Sequence, residues 1–274
     1  MSRRTRSRWS RLRSVLVVVV GLAVLAFGAG AVKDGTLDLD ALTGSPTTSP
    51  AAPAAGPQAP LAPDALAEVA ATAATADPTT ALAAVVTLDV KGRAPKTGYD
   101  RDEFGPAWAD VDHNGCDTRN DILARDLTGE TFKPGTHDCV VLTGTLADPY
   151  SGATIAFQRG QDTSSAVQID HVVALSDAWQ KGAQQWDDAT RQAFANDPLN
   201  LLAADGPLNS QKGAGDTATW LPPNGAFRCA YVARQVAVKQ AYDVWVTQAE
   251  RDAMLTVLST CPQEPLPVAV AAAG

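Results

Sequence analysis

The N-terminus places the strongest constraint on what this chain can fold into. Residues 3–13 contain six arginines and no acid, the apolar run Val15–Phe27 follows, and Ala29-Gly30-Ala31 has a small-x-small pattern. This order is typical of a secretory signal peptide. The alternative is an uncleaved anchor, because Val15–Val32 has 18 residues without a charge and is near the lower limit for spanning a bilayer. Residues 1–31 are therefore interpreted as a signal peptide or membrane anchor, and both interpretations place the rest of the chain outside the cytoplasm.

The cysteine count agrees with an oxidising compartment. The chain has four cysteines, Cys116, Cys139, Cys229 and Cys261. An even number behind a signal segment indicates two disulfides. We favour the pairs Cys116–Cys139 and Cys229–Cys261, because each pair is local and brackets one structural unit. The chain has no CxxC spacing, so neither a structural zinc site nor a thioredoxin-like centre is expected.

The net charge restricts the kinds of partner. It is −8 for the whole chain, and removing the six arginines of residues 1–31 leaves 16 basic and 30 acidic residues, or −14. An acidic body repels nucleic acid at long range. This argues against a high-affinity, non-specific DNA binder. It does not exclude an enzyme that acts on nucleic acid, because a metal ion and a local basic groove can neutralise one phosphate.

Composition divides the rest of the chain into three parts. Residues 32–85 are interpreted as a Pro/Ala-rich linker, since residues 43–63 hold too little apolar surface to fold. The Ala-rich stretch 64–86 could instead form a helix packed on the domain. The folded domain is predicted over residues 86–261, and residues 262–274 form a Pro/Ala-rich flexible tail.

Periodicity and turn chemistry predict an α+β domain with short antiparallel strands and a helical C-terminal half, tied by disulfides. The predicted strands are Val140–Leu146, Thr154–Gln158, Val167–Val173 and Leu199–Ala203, and the predicted helices are 175–195, 225–243 and 247–260. Thr247 and Glu250 form a capping-box pattern at the start of the last helix.

A candidate site lies where the third predicted strand ends. The chain has three histidines, and His171 follows Asp170 at the end of an apolar strand. Neighbouring side chains on a strand point to opposite faces. A bulge or a strand end is therefore needed before Asp170 and His171 can line one pocket.

Further polar residues follow in a strand–turn–helix pattern. Asn200 precedes an apolar run, and Asn209 and Lys212 come after the turn. Asn209 and Lys212 are three residues apart, so they share a face if this segment is helical.

This ordered set resembles the HNH, or ββα-metal, endonucleases. Residues of about 97–245 are similar, more specifically, to secreted HNH proteins of the DUF1524 kind. The shared segments are Gly98-Tyr99-Asp100-Arg101, Asn114-Gly115-Cys116-Asp117-Thr118-Arg119-Asn120, Gln168-Ile169-Asp170-His171-Val172, Asn200-Leu201, Asn209-Ser210-Gln211-Lys212-Gly213 and Trp220-Leu221-Pro222-Pro223.

The resemblance implies a ββα-metal core in which one divalent metal lies between a two-stranded hairpin and a helix. Asp170 would be a metal ligand, His171 the general base and Asn200 a brace for the loop bearing His171. Asn209 would be the second ligand, in the place of the final histidine of the motif, so the motif is His-Asn-Asn in this chain. Two oxygen ligands favour Mg²⁺ or Mn²⁺ over Zn²⁺.

A phosphodiester needs charge neutralisation as well as an activated water. Lys212 and Arg119 are the candidates for contacting the phosphate, and Asp216 could either hold Lys212 or contact the site from outside the ligands. The expected activity is a secreted, metal-dependent endonuclease, acting as a monomer on nucleic acid, with DNA the favoured substrate. Membrane attachment through the N-terminal segment remains an alternative.

Each of these residues also has a structural interpretation. Asn209 could cap the helix that it begins. Lys212 could be a solvated surface lysine. Arg119 could hold the fold through an ion pair with Asp117 or Asp126.

Two rival functions remain at this level. Asp110-Val111-Asp112-His113-Asn114-Gly115 and Asp121 match part of the spacing of a calcium loop, although Asp117 occupies a position that is normally apolar. The chain could then be a non-catalytic extracellular module stabilised by metal, or a degenerate HNH fold that binds nucleic acid without cutting it. A serine hydrolase is poorly supported, because the sequence contains no Gly-x-Ser-x-Gly elbow.

Overall fold

The computed structural model describes residues 58–268, so the predicted signal peptide or anchor, residues 32–57 of the predicted linker and residues 269–274 of the predicted tail lie outside it. Within this range the chain is α+β, as predicted. The helices are α1 (Pro63–Ala73), α2 (Ala81–Val85), α3 (Thr118–Asp126), α4 (Leu175–Trp179), α5 (Asp188–Asn196), α6 (Gly206–Lys212), α7 (Arg228–Ala241) and α8 (Gln248–Leu258). The strands are β1 (Leu127–Phe132), β2 (Val141–Ala147), β3 (Thr154–Gln158), β4 (Val167–His171) and β5 (Leu201–Asp205). No helix between residues 58 and 268 is both long and apolar enough to cross a membrane.

The strands form two small antiparallel sheets. One has the order β1-β2-β3 and the other consists of β4 and β5. In the smaller sheet Asp170 lies opposite Leu202 and His171 opposite Leu201. Helix α6 starts directly after β5 and packs against both strands. The Asp-His pair is thus carried by a compact unit of two strands and one helix.

Three predicted strands occur within two residues of their expected ends, and Thr154–Gln158 is confirmed exactly at both ends. Strand β4 is shorter than predicted, because the chain leaves the sheet after His171. Strand β1 was not predicted. Gly129 has a φ of 61°, and the register of β1 with β2 is irregular. Both interrupt the alternation of inward and outward side chains along β1, so the sequence shows no clear strand period there.

The single helix predicted over residues 175–195 is wrong. The structure has two short helices there, α4 and α5, separated by a 3-10 turn over Ala183–Gln185. Gly182 has a φ of 132°, which a continuous helix does not allow, and the side chain of Asp187 caps the start of α5. Trp179 and Phe194 are nevertheless both buried, since each short helix keeps its apolar face inward.

The chain packs into the domain on both sides of the predicted limits. Residues 63–85 were assigned to the linker, yet α1 and α2 lie on the hydrophobic core, and Ala81, Leu82 and Val85 are buried. Residues assigned to the tail also pair with this segment, since Leu266 N–H donates to the carbonyl of Thr79 at 2.8 Å. Because small alanine side chains allow helices to pack closely, an Ala-rich composition fits a packed helix as well as a linker. Composition alone therefore did not distinguish the two.

The cysteines meet in the favoured pairs. Cys116 and Cys139 are bonded at an S–S distance of 1.95 Å, and Cys229 and Cys261 at 2.08 Å. The second pair joins the start of α7 to the chain just beyond α8. Helix α8 begins with the predicted capping box of Thr247 and Glu250, which is confirmed in both directions.

A buried network of charges holds the helical half together. It consists of three cations and three anions, namely Arg93, Lys181, Lys239, Asp177, Asp216 and Glu250. Lys181 Nζ lies 2.9 Å from Asp216 and 2.6 Å from Glu250, and Asp177 accepts at 2.7 Å. Lys181 and Glu250 have no exposed surface. The formal charges balance and each ion has a partner; Arg93 lies at the surface end of the network, with its side chain 35% exposed.

The network makes stability depend on pH. Burial alone would raise the pKa of Asp177 and Asp216, but the neighbouring lysines outweigh it and lower both below the ordinary 3.8. Their contribution is therefore complete above about pH 4 and is lost as the pH falls through the lowered values. We expect Asp216→Asn to destabilise the protein at neutral pH, and the difference from wild type to shrink at about pH 3 in urea unfolding.

The matched control is Asp89→Asn, since Asp89 is exposed and pairs only with Lys91. This variant should follow wild type at both pH values. An Asp216→Asn protein whose deficit was the same at neutral and acid pH would contradict the assignment.

Candidate active site

The turn from β5 into α6 fixes where the site residues lie. The side chain of Asp205 caps α6 by accepting from Leu208 N–H at 2.8 Å. The alternative role for Asn209 as the helix cap is therefore wrong. Gly206 is required at the start of α6, because a Cβ there would collide with the carbonyl oxygen of Ser165.

Asp170 is buried at the end of β4 and holds two donors. The hydroxyl of Tyr150 donates to Asp170 Oδ2 at 2.5 Å, and Lys212 Nζ donates to Asp170 Oδ1 at 3.0 Å and to the carbonyl of His171 at 2.8 Å. Burial raises the pKa of Asp170, and Lys212 and Tyr150 oppose this shift without cancelling it. Lys212 is fully buried, so the alternative of a solvated surface lysine is wrong.

His171 is held in one orientation. Its Nε2 lies 2.8 Å from the carbonyl oxygen of Ala195, and the ring stacks on Trp108 with an interplanar angle of 17°. A carbonyl accepts only, so Nε2 carries the proton and Nδ1 has the lone pair of a neutral ring. Burial lowers the pKa of His171 from 6.5 to about 3, which keeps the ring neutral at neutral pH.

Asn200 joins the segment after His171 to the segment before β5. Its Oδ1 accepts from Val173 N–H at 2.9 Å, and its Nδ2 lies 3.3 Å from the carbonyls of Val173 and Phe194. Its backbone carbonyl also accepts from Val172 at 2.8 Å. The residue is fully buried, so these bonds fix the chain directly after His171.

Three of the predicted residues line a single cavity. The cavity has a volume of about 330 Å³, and Asp170, His171 and Asn209 all face it. Asp170 and His171 share this cavity because β4 ends at His171. A strand end at this point is one of the two conditions that the sequence analysis required for the pair to line one pocket. Three further polar residues line the same cavity, namely Lys96, Arg101 and Ser176.

Two predicted residues lie elsewhere. Arg119, on α3, lies at the opposite end of β4, where its guanidinium is 3.5 Å from the carbonyl of Val167. Among residues 58–268 it has no ion pair with Asp117, which caps α3, or with Asp126, which pairs with Arg125. The suggested contact between Asp216 and Lys212 is wrong as well, because Asp216 pairs with Lys181 and Arg93 in the buried network.

Sequence reasoning also missed residues that touch the site. Tyr150 and Trp108 contact Asp170 and His171 across long stretches of chain, and no local pattern marks them. A signal existed for Arg101, which belongs to a segment shared with the HNH family. It was not assigned a role there because only the fold shows that it lies beside His171.

The donors at this cavity fit a hard divalent metal. Asp170 keeps acceptor capacity beyond its bonds to Tyr150 and Lys212, because two carboxylate oxygens offer about four lone-pair sites. Asn209 Nδ2 donates to Gln168 at 2.9 Å, which leaves the amide oxygen as its free group. Two oxygen donors on one cavity suit Mg²⁺ or Mn²⁺.

The acidic loop 110–121, the candidate calcium loop, uses its carboxylates differently from the cavity. Its carboxylates accept from within the loop, since Asp110 binds Gly115 N–H at 3.0 Å and Asn114 donates to Asp112 and Asp121. Among the described residues, the His, Cys, Asp and Glu side chains grouped closely enough for a metal are Cys229, Cys261 and Glu264. The two cysteines of that group form a disulfide.

A two-stranded sheet and a helix surround the Asp-His pair, and comparison with known proteins identifies the family of the chain. Residues 117–257 match the family of GmrSD restriction endonucleases, C-terminal domain, and the chain belongs to this family. The match confirms the resemblance to HNH endonucleases. An uncharacterized secreted protein of Arthroderma benhamiae is 37% identical over 185 residues, which cover 67% of this chain and 85% of that protein.

Proposed function

We propose that this protein is a secreted, metal-dependent endonuclease that hydrolyses phosphodiester bonds of nucleic acid, with β4, β5 and α6 as a ββα-metal core. The observation that carries the proposal is the shared cavity, which brings Asp170, His171 and Asn209 together on this unit. Membership of a restriction endonuclease family supports the reaction class. The proposed substrate is DNA, and the proposed state is a monomer.

His171 is the proposed general base. Its Nε2 is bound to Ala195, so Nδ1 is the atom that would take a proton from water. Burial lowers the pKa of His171, so the ring is neutral at neutral pH. Asn200 supports this role indirectly, since it fixes the chain that follows His171.

Asp170 and Asn209 are the proposed metal ligands. The metal would neutralise charge on the phosphate and on the departing oxygen. Lys212 keeps Asp170 in place and lowers the cost of burying its charge. The phosphate role predicted for Arg119 would concern a phosphate further along a bound strand, because Arg119 lies at the far end of β4.

Export is the proposed route for this chain. The arginine-rich segment and apolar run of residues 1–31 support it, and so does the name of the relative, which describes that protein as secreted. The two disulfides are consistent with an oxidising compartment.

The first test is cleavage of plasmid DNA, single-stranded DNA and RNA by the full chain with its disulfides intact. We expect cleavage with Mg²⁺ or Mn²⁺ and none with EDTA. Asp170→Asn is the matched variant for metal use, and Asp89→Asn is its control because Asp89 is exposed and remote in the sequence. Folded protein that cut no substrate with any metal would overturn the proposal in favour of a non-catalytic module.

A further inference from the structure

The cavity beside His171 has a polar wall that the HNH motif does not explain. Lys96, Arg101 and Ser176 line it together with Asp170 and Asn209. Lys212, which the sequence assigned to the phosphate, is instead engaged by Asp170 and the carbonyl of His171. The phosphate therefore needs other donors at this place.

Ser176 gives the strongest indication. It is only 8% exposed, and its Oγ is buried with no hydrogen-bond partner in the part of the chain that the structure describes. A buried hydroxyl without a partner costs free energy, because it has lost its hydrogen bonds to water. Such a group is retained most easily where a bound molecule supplies the missing acceptor.

Two cations line the same cavity as Ser176. Lys96 and Arg101 are exposed, and neither takes part in an ion pair between residues 58 and 268. Lys96 is oriented by the ring of Tyr99, whose centroid lies 4.8 Å from its Nζ. By contrast, Arg93, the cation nearest in sequence, is already bound by Asp177 and Asp216.

We propose that Lys96, Arg101 and Ser176 form the subsite that binds a substrate phosphate next to His171. The inference rests on the proposed function, and it names the donors that this function lacks. A phosphodiester group presents acceptor oxygens that match one hydroxyl, one guanidinium fork and one ammonium. The subsite also explains how a chain of net charge −8 admits nucleic acid, because the positive charge is placed at the cavity itself.

The test is binding of a labelled single-stranded DNA to the full chain in EDTA, measured by fluorescence anisotropy, so that the readout does not depend on cleavage. We expect Arg101→Gln and Ser176→Ala each to weaken binding about tenfold. Arg101→Gln should also reduce the slope of log affinity against log salt by about one. In the cleavage assay both variants should raise KM more than they lower kcat.

Lys91→Gln and Ser259→Ala are the controls. Lys91 pairs with Asp89 on the surface, and the Ser259 hydroxyl donates to Thr256, so neither faces the cavity. Wild-type affinity in both Arg101→Gln and Ser176→Ala would overturn the subsite, as would a wild-type protein that did not bind the DNA. Weakened binding in these variants, with no cleavage by the wild-type protein with any metal, would instead overturn the proposed function and leave the subsite standing.

Discussion

Replacing His171 by asparagine is expected to slow metal-dependent cleavage by about 10²–10⁴-fold, the usual contribution of a general base. Asparagine has no group that takes a proton at neutral pH, whereas the neutral imidazole held through Nε2 offers Nδ1. The loss should be in kcat, since the proposed donors to the phosphate are Lys96, Arg101 and Ser176, and His171 acts on the reacting water.

His137→Asn is the matched control. His137 is exposed, and its φ of 51° is one that asparagine tolerates. It should cleave at the wild-type rate.

Folding must be checked separately, because His171 is buried and stacked on Trp108. Thermal unfolding of His171→Asn and of the larger His171→Gln reports whether either variant keeps the fold. One folded variant is enough for the comparison of rates. A folded variant that cut DNA as fast as wild type would show that His171 is not the base.

The second large effect concerns the buried charge network. We expect Lys181→Met to lower the free energy of unfolding by about 3–5 kcal/mol, the usual cost of removing one partner from a buried ion pair. Lys181 contacts Asp177, Asp216 and Glu250, so its loss leaves three buried carboxylates with only Lys239 and Arg93 to balance them. Methionine has a similar size, so packing changes contribute little.

Urea unfolding at neutral pH measures this effect. Lys91→Met is the control, because Lys91 is exposed and its pair with Asp89 is worth at most about 1 kcal/mol. A second variant, Glu250→Gln, completes a double-mutant cycle with Lys181→Met. Lys181→Met and Lys91→Met with equal unfolding free energies would mean that the network does not stabilise the fold.

The network also includes the chain neighbour of one residue of the proposed phosphate subsite. Asp177 follows Ser176 on α4, and Asp216 lies four residues beyond Lys212. The sequence contained no sign of this arrangement. Asp177 and Lys181 are four residues apart, but the other four members come from distant segments and meet them only in the folded chain.

The sequence by itself determined the features that depend on neighbouring residues. The order Asp170-His171, Asn200 and Asn209 identified the family, since a motif records residues and their spacing directly. The capping box of α8 and the four predicted strands, β2 to β5, follow from patterns of a few residues. The disulfide pairs followed from a simple preference for local bridges.

Only the tertiary structure decided which charges meet. Lys212 reaches Asp170 across 42 residues, and Tyr150 reaches it across 20, so spacing along the chain says nothing of either contact. Arg119 belongs to a motif shared with the family, yet α3 carries it to the far end of β4. Burial decides whether a cation binds substrate or stabilises the core, and burial depends on how distant elements pack.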